Sequence, residues 1–162
     1  MRRQILCAGR GGQGVVWLGR VLGEAARRTG APVLTAETHG MAMRGGSVVC
    51  HVKIGPFSSP LIRAGRADVL LALDPAEADR NRHFLGPGGA ALVHPADVDA
   101  LALAGAAGAP RGANAALLGA ACGRGLTGLD PSAVEAAVAD LSPPGARQAN
   151  LRAFRAGLDA GR

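Results

Sequence analysis

Residues 8–25 read AGRGGQGVVWLGRVLGEA, and Gly9, Gly11 and Gly14 within them take the G-x-G-x-x-G spacing. The apolar run before them, residues 4–8, reads as a buried strand. After them Val15, Leu18, Leu22, Ala25 and Ala26 recur at helical spacing, with Arg20, Glu24, Arg27 and Arg28 on the opposite side. Gly30 stands just past that helix, where a left-handed residue commonly ends one. PVLTAE (32–37) reads as a second strand, so the segment spells strand, glycine turn, helix, strand. In such a unit Gly9 permits the tight turn, Gly11 a close backbone approach, and Gly14 the packing of helix on strand. The open N–H groups at the helix start favour an anion. Glu37, near the end of the second strand, supplies the acidic residue that a dinucleotide fingerprint asks for. A self-contained NAD(P)- or flavin-binding protein is therefore one reading. A turn that serves only chain geometry, or a contact with another subunit, is the other.

Working outward, residues 38–46 (THGMAMRGG) form a second loop rich in special residues. Gly40 and the pair Gly45-Gly46 let it bend twice. Arg44 can offer a bidentate guanidinium to a carboxylate or phosphate. His39 is either a proton carrier or, as the commoner case, a hydrogen-bonded loop residue. SVVCHVKIG (47–55) is rich in β-branched residues and reads as a third strand. DVLLAL (68–73) is the continuous apolar run of a strand buried on both faces. Asp74-Pro75 then opens a short helix, with Asp74 as its cap. GPGG (86–89) reads as a turn and residues 90–94 as a fifth strand. Residues 96–112 are ambiguous, a helical turn followed by loop. Three helices are expected afterwards: over 114–122, from the Asp130-Pro131 cap to about residue 139, and over 146–160. The expected architecture is α/β, one Rossmann-like layered domain over residues 1–162, with a mostly parallel sheet flanked by helices.

The totals narrow the function classes. The chain has 162 residues, enough for a single domain with a real core. One Trp, three Phe and no Tyr leave no base-stacking surface, and no nucleic-acid motif accompanies the net charge of +6. The arginines are dispersed along the chain, so a solvated basic surface or one that meets an acidic partner is the plainer reading, and no nucleic-acid partner is expected. Cys7, Cys50 and Cys122 lie far apart with no C-x-x-C, so neither a zinc site nor an iron–sulfur ligand set is expected, and no metal ligand is assigned. Such cysteines read as buried free thiols in a reducing compartment, and the expected location is cytoplasmic. The N-terminal apolar run is too short for a signal peptide, and no apolar stretch reaches membrane-spanning length, so no membrane contact is expected. The chain also lacks a P-loop, a nucleophile elbow and a thiamine diphosphate–magnesium motif.

The segments AGRGGQGVVWLGRVLGEAA, ETHGMAMRGGSVVCHVKIG, SSPLI, ADVLLALDPAEADR, NAALLGA and NLRAFRAG, taken together, resemble the gamma-type subunit or domain of 2-oxoacid:ferredoxin oxidoreductases, including the small subunit of indolepyruvate oxidoreductase. The resemblance runs from about residue 4 to 157. GGQG followed by HGM-x-x-RGG is far more specific than a lone glycine fingerprint. Met43 stands where the family often has Gln, and Arg10 where a small or apolar residue is usual.

The resemblance implies an accessory subunit in the oxidative decarboxylation of a 2-oxoacid such as pyruvate, a branched-chain oxoacid or an arylpyruvate. It places thiamine diphosphate, magnesium and iron–sulfur clusters on partner subunits, with electrons passing to ferredoxin. No cofactor is expected on this chain alone, coenzyme A is a candidate contact, and catalytic residues are not assigned. The expected working surface, cofactor-binding or partner-facing, is two glycine loops at one sheet edge, turned to the thiamine-bearing subunit: Gly9, Gly11, Gly12, Gln13 and Gly14 in one, and His39, Gly40, Met41, Arg44, Gly45 and Gly46 in the other. A non-catalytic α/β interaction module is the remaining alternative.

Overall fold

The structure, a computed structural model, describes residues 1–39 and 45–162. The strands are β1 (Arg3–Arg10), β2 (Val33–His39), β3 (Ser47–Ile54), β4 (Ala67–Ala72) and β5 (Leu85–Val93). The helices are α1 (Val15–Arg28), α2 (Pro75–Asn81), α3 (Ala100–Ala106), α4 (Ala113–Gly123), α5 (Pro131–Leu141) and α6 (Arg147–Gly161). They make one five-stranded α/β sheet in the order β2-β3-β1-β4-β5.

The sheet is mixed. β1 pairs in parallel with β4, and β4 with β5, whereas β3 runs antiparallel to both β1 and β2. Four strands thus share one direction and β3 opposes them. In the expected βαβ unit the two strands would be neighbours; here β3 is inserted between them, and α1 crosses over it. Two details also differ from the sequence expectation. Residues 86–89 lie within β5, where Gly88 (φ 75°) accompanies a register shift against β4, and the ambiguous 96–112 segment contains α3.

Side-chain alternation divides the strands between two layers. Ile5, Cys7, Val69 and Leu71 point to the larger core beneath α1 and α4. Leu6, Ala8 and Leu70 point to the other face, which is covered by Ile62 and, further along, by Ala78 of α2. With few aromatic side chains available, the helical layer closes through glycine. Gly119 and Gly123 of α4 meet α6 so tightly that a Cβ would strike the backbone around Phe154 and Leu158, and Gly157 meets Ala116 in the same way. Gly19 plays this part for α1, whose backbone lies against Cys50 and Val52 of β3. The caps form as the sequence predicts: Asp74 accepts the Glu77 N–H at 3.1 Å, and Asp130 the Ser132 N–H at 2.9 Å. All three cysteines are buried and free. Among the described residues no helix is long and apolar enough to cross a membrane.

Candidate functional site

The carboxyl ends of β1 and β4 and the start of β3 meet at one edge of the sheet. The register sets Arg10 opposite Ser47, and the Gly11 N–H donates to Gly46 O at 2.8 Å. The glycine loop after β1 therefore lies beside the end of the 38–46 loop, as the sequence led one to expect. Gly40, Met41 and Arg44, like Met43, lie outside the described residues, as does the His39 side chain.

Each residue of the glycine loop has a distinct local reason. Gly9 is hemmed in, since a Cβ there would run into Val15 and Gln13. Gly12 has φ 92° and faces open space, so only its backbone conformation calls for glycine. Gly14, the N-cap of α1, is left-handed (φ 83°, ψ 28°) and lies against the Asn114 side chain of α4. The helix–strand packing expected of Gly14 is thus done by Gly19, while Gly14 makes room for Asn114.

Gln13 is an internal fastener. Its Oε1 accepts the Arg10 N–H at 2.7 Å and its Nε2 donates to Leu73 O at 3.1 Å, tying the loop to the end of β4. Arg10 donates to Asp74 Oδ2 at 2.5 Å, and the Ser47 hydroxyl donates to Glu77 Oε2 at 2.5 Å. Both carboxylates belong to the first turn of α2 and its cap, so α2 holds the glycine loop and the start of β3 together. Burial pushes the Asp74 carboxyl up, but the Glu77 N–H and the Arg10 guanidinium outweigh it and hold Asp74 below the ordinary carboxylate range.

Two clefts flank this loop, and Gly12 lines both. One, about 490 Å³, opens at the N-terminus of α1 among Arg10, Val16, Trp17, Arg20 and Val48. No side chain caps that helix end and its first turn contains no acid, so its N–H groups with Arg20 favour an anion, while Arg10 is already paired with Asp74. The other, about 550 Å³, lies towards α4 among Gln13, Leu73, His94, Leu101, Arg111 and Asn114. Such crevices at the carboxyl ends of strands are where α/β sheets usually receive ligands.

Glu37 does not join them. It is exposed on β2, and β3 separates it from β1, roughly 10 Å or two strand spacings away. The acid of a dinucleotide fingerprint sits on the strand next to β1, so this topology does not reproduce that arrangement. Among the described residues no group of three His, Cys, Asp or Glu side chains is placed to hold a metal ion. Sequence reasoning missed Asn114, Ser47 and Glu77 as parts of this edge. DPAE has the spacing of a capping box, but the Glu77 carboxylate accepts from Ser47 of β3 with one oxygen and lies near Arg80 with the other, and no local pattern announces the first of these.

The family described as pyruvate ferredoxin/flavodoxin oxidoreductase matches residues 4–160. Indolepyruvate oxidoreductase subunit IorB of Archaeoglobus fulgidus is 54% identical over 85 residues, which cover 52% of this chain and 42% of that protein. The match thus spans about two fifths of that relative's length. 2-Oxoglutarate synthase subunit KorC of Methanothermobacter thermautotrophicus is 29% identical, with 98% of this chain and 95% of that one covered. The keto/oxoacid ferredoxin oxidoreductase gamma subunit from Geobacter sulfurreducens superposes with a TM-score of 0.81 at 27% identity, covering 98% of both chains.

Proposed function

The chain belongs to the pyruvate ferredoxin/flavodoxin oxidoreductase family, and we propose that it is an accessory, gamma-type subunit of a 2-oxoacid:ferredoxin oxidoreductase, inactive alone. In this reading thiamine diphosphate, magnesium and the iron–sulfur clusters belong to partner subunits and electrons leave to ferredoxin. The chain contributes the edge formed by Gly9, Gly11, Gly12, Gln13 and Gly14 with His39, Gly40, Met41, Arg44, Gly45 and Gly46, and this edge faces the thiamine-bearing subunit.

The observation that carries the reading is the Gly11–Gly46 hydrogen bond within a loop pair fastened by Gln13, Asp74 and Glu77. The glycine turn over residues 9–14 offers backbone N–H groups at close approach with few side chains in the way. An anionic group of the assembled enzyme's substrate or acyl acceptor, coenzyme A included, suits the uncapped start of α1 beside Arg20, and Arg44 is the further residue proposed to meet it. The proposed oxoacid is an arylpyruvate such as indolepyruvate, supported by the 54% identity to IorB over the matched segment. A cytoplasmic location accords with the three free thiols.

The test is co-purification of the tagged full chain with its partners, followed by 2-oxoacid-dependent reduction of a viologen dye. The complex is expected to turn over arylpyruvates faster than pyruvate, and Arg44→Ala and Gly12→Val variants to assemble yet lose at least tenfold in kcat/KM. Wild-type turnover by both variants would remove the loops from the site. Stoichiometric NADH or flavin binding by the isolated chain would favour the self-contained nucleotide-binding protein instead, and a partnerless chain the interaction module.

A further inference from the structure

The opposite edge of the sheet carries a second concentration of chemistry that the loop edge does not use. There the start of β1, the end of β3 and the 55–66 segment enclose a cleft of about 320 Å³. Four cations from three stretches of chain line it: Arg2, Lys53, and Arg63 with Arg66. No Asp or Glu lines it, and none of the four forms an ion pair among the described residues. The nearby Asp68 carboxylate accepts the Gln4 backbone N–H at 2.7 Å and stays outside the lining.

The cleft has a floor and a rim. Lys53 is only 8% exposed, and its ammonium looks into the cleft while giving one hydrogen bond to Leu61 O at 3.2 Å. An ammonium has three N–H donors, so two remain for a ligand. Arg63 and Arg66 are exposed, and Ser58 and Ser59 add hydroxyls to the lining. The Phe57 ring is shared by two cations: the Arg2 guanidinium carbon is 4.4 Å from its centroid and Lys53 Nζ 4.6 Å. Those two charges therefore stand within about 9 Å of each other, inside the Debye length of about 10 Å at 0.1 M salt. Burial, then Arg63 and Arg2, pull the Lys53 pKa below the ordinary lysine range. The fold gathers like charges and, among the described residues, places no carboxylate in the lining.

We propose that this cleft binds a compact, multiply charged oxyanion of the phosphate class, such as the diphosphate group of a small molecule. The convergence of four cations on one concavity, with a lysine at its floor, suits a compact group better than an extended acidic surface. The guanidinium forks of Arg63 and Arg66 match phosphate oxygens in pairs, and Lys53 supplies a point charge beneath them. Phe57 and Leu61 give the cleft an apolar wall for whatever carries the anion.

Calorimetric titration of the full chain with sodium pyrophosphate in 50 mM salt tests this. Saturable binding is expected, tighter than for inorganic phosphate, at least tenfold weaker in the double variant Arg63→Gln/Arg66→Gln and several-fold weaker in Lys53→Met. Because both arginines are exposed, the double variant tests the site even if Lys53→Met does not fold. Arg147→Gln, on α6, should bind as wild type. Absence of saturable binding, or equal loss in Arg147→Gln, would overturn the proposal. Loss in Arg10→Gln/Arg20→Gln but not in Arg63→Gln/Arg66→Gln would assign the anion to the other edge and overturn it as well. Binding of an octaglutamate peptide that pyrophosphate does not displace would replace it with an acidic protein partner.

Discussion

The two edges of this sheet treat charge in opposite ways. At the carboxyl end of β1, Arg10 meets Asp74, Arg80 lies 3.6 Å from Glu77, and Gln13 spends both ends of its amide on backbone partners. At the amino end, four cations converge with no carboxylate among them. The net charge of +6 is thus not spread evenly: one edge is fastened by paired charges, the other is left to be neutralised. A fastened edge has a fixed shape to present to a partner. An unneutralised one has a free-energy reason to take up an anion.

The comparison can be broken by substitution. The largest effect is expected from Gly14→Val, which puts a β-branched residue at φ 83° and against Asn114; a loss of about 3 kcal/mol or more should appear in denaturant melts. Gly12→Ala sharpens this, since φ 92° in open space carries only the backbone cost, about 1–2 kcal/mol. Gln13→Ala, which leaves the Arg10 N–H and Leu73 C=O without their partner, should cost about 1–2 kcal/mol, and Gln13→Glu at least as much, because it keeps the acceptor for Arg10 N–H but sets a carboxylate oxygen against the Leu73 C=O.

Smaller effects separate the edges by sign. Arg10→Ala should lower stability by about 0.5–1 kcal/mol, as befits a half-exposed ion pair. Lys53→Met should be neutral or slightly stabilising in low salt, because the lost bond to Leu61 is offset by relief of like-charge repulsion. A loss above about 1 kcal/mol at Lys53 would break the contrast.

The smallest effect is a pH dependence in the 55–66 segment. His51 Nδ1 accepts the Ile62 N–H at 3.1 Å, which requires the neutral ring, and burial followed by Lys53 pulls its pKa down. The folded protein then binds this proton less readily than the unfolded chain does. The His51 contribution is whole above the ordinary histidine value of about 6.5 and is lost as pH falls from there through the folded value. Thermal melts should show that acid-side loss in wild type, and His51→Asn should lack it. Asp74 titrates with its window lower: its stabilisation is present above about pH 3.9 and is lost as pH falls through its depressed folded value.

Much of this was legible in advance. The amphipathic stripe of α1, the Asp74 and Asp130 caps and the buried run of β4 are patterns among near neighbours, and they appear where the sequence puts them. Even the hairpin was within reach, because residues 40–46 are too few for the dozen or so that a parallel crossover needs. The insertion of β3 between β1 and β2 was not, since SVVCHVKI alternates identically beside either neighbour. Glu37 looked like part of a fingerprint for the same reason: its place along β2 is local, but its distance from β1 is not.

The sequence by itself determined most of the elements and the family, because periodicity, capping and glycine spacing are written within a few residues of one another; the start of β5 and α3 are the exceptions. Only the tertiary structure decided which loops share an edge and what Gln13, Gly14, Ser47 and Lys53 touch. Those meetings join residues as far apart as Gly14 and Asn114, and they depend on strand order and helix docking, which no local pattern encodes.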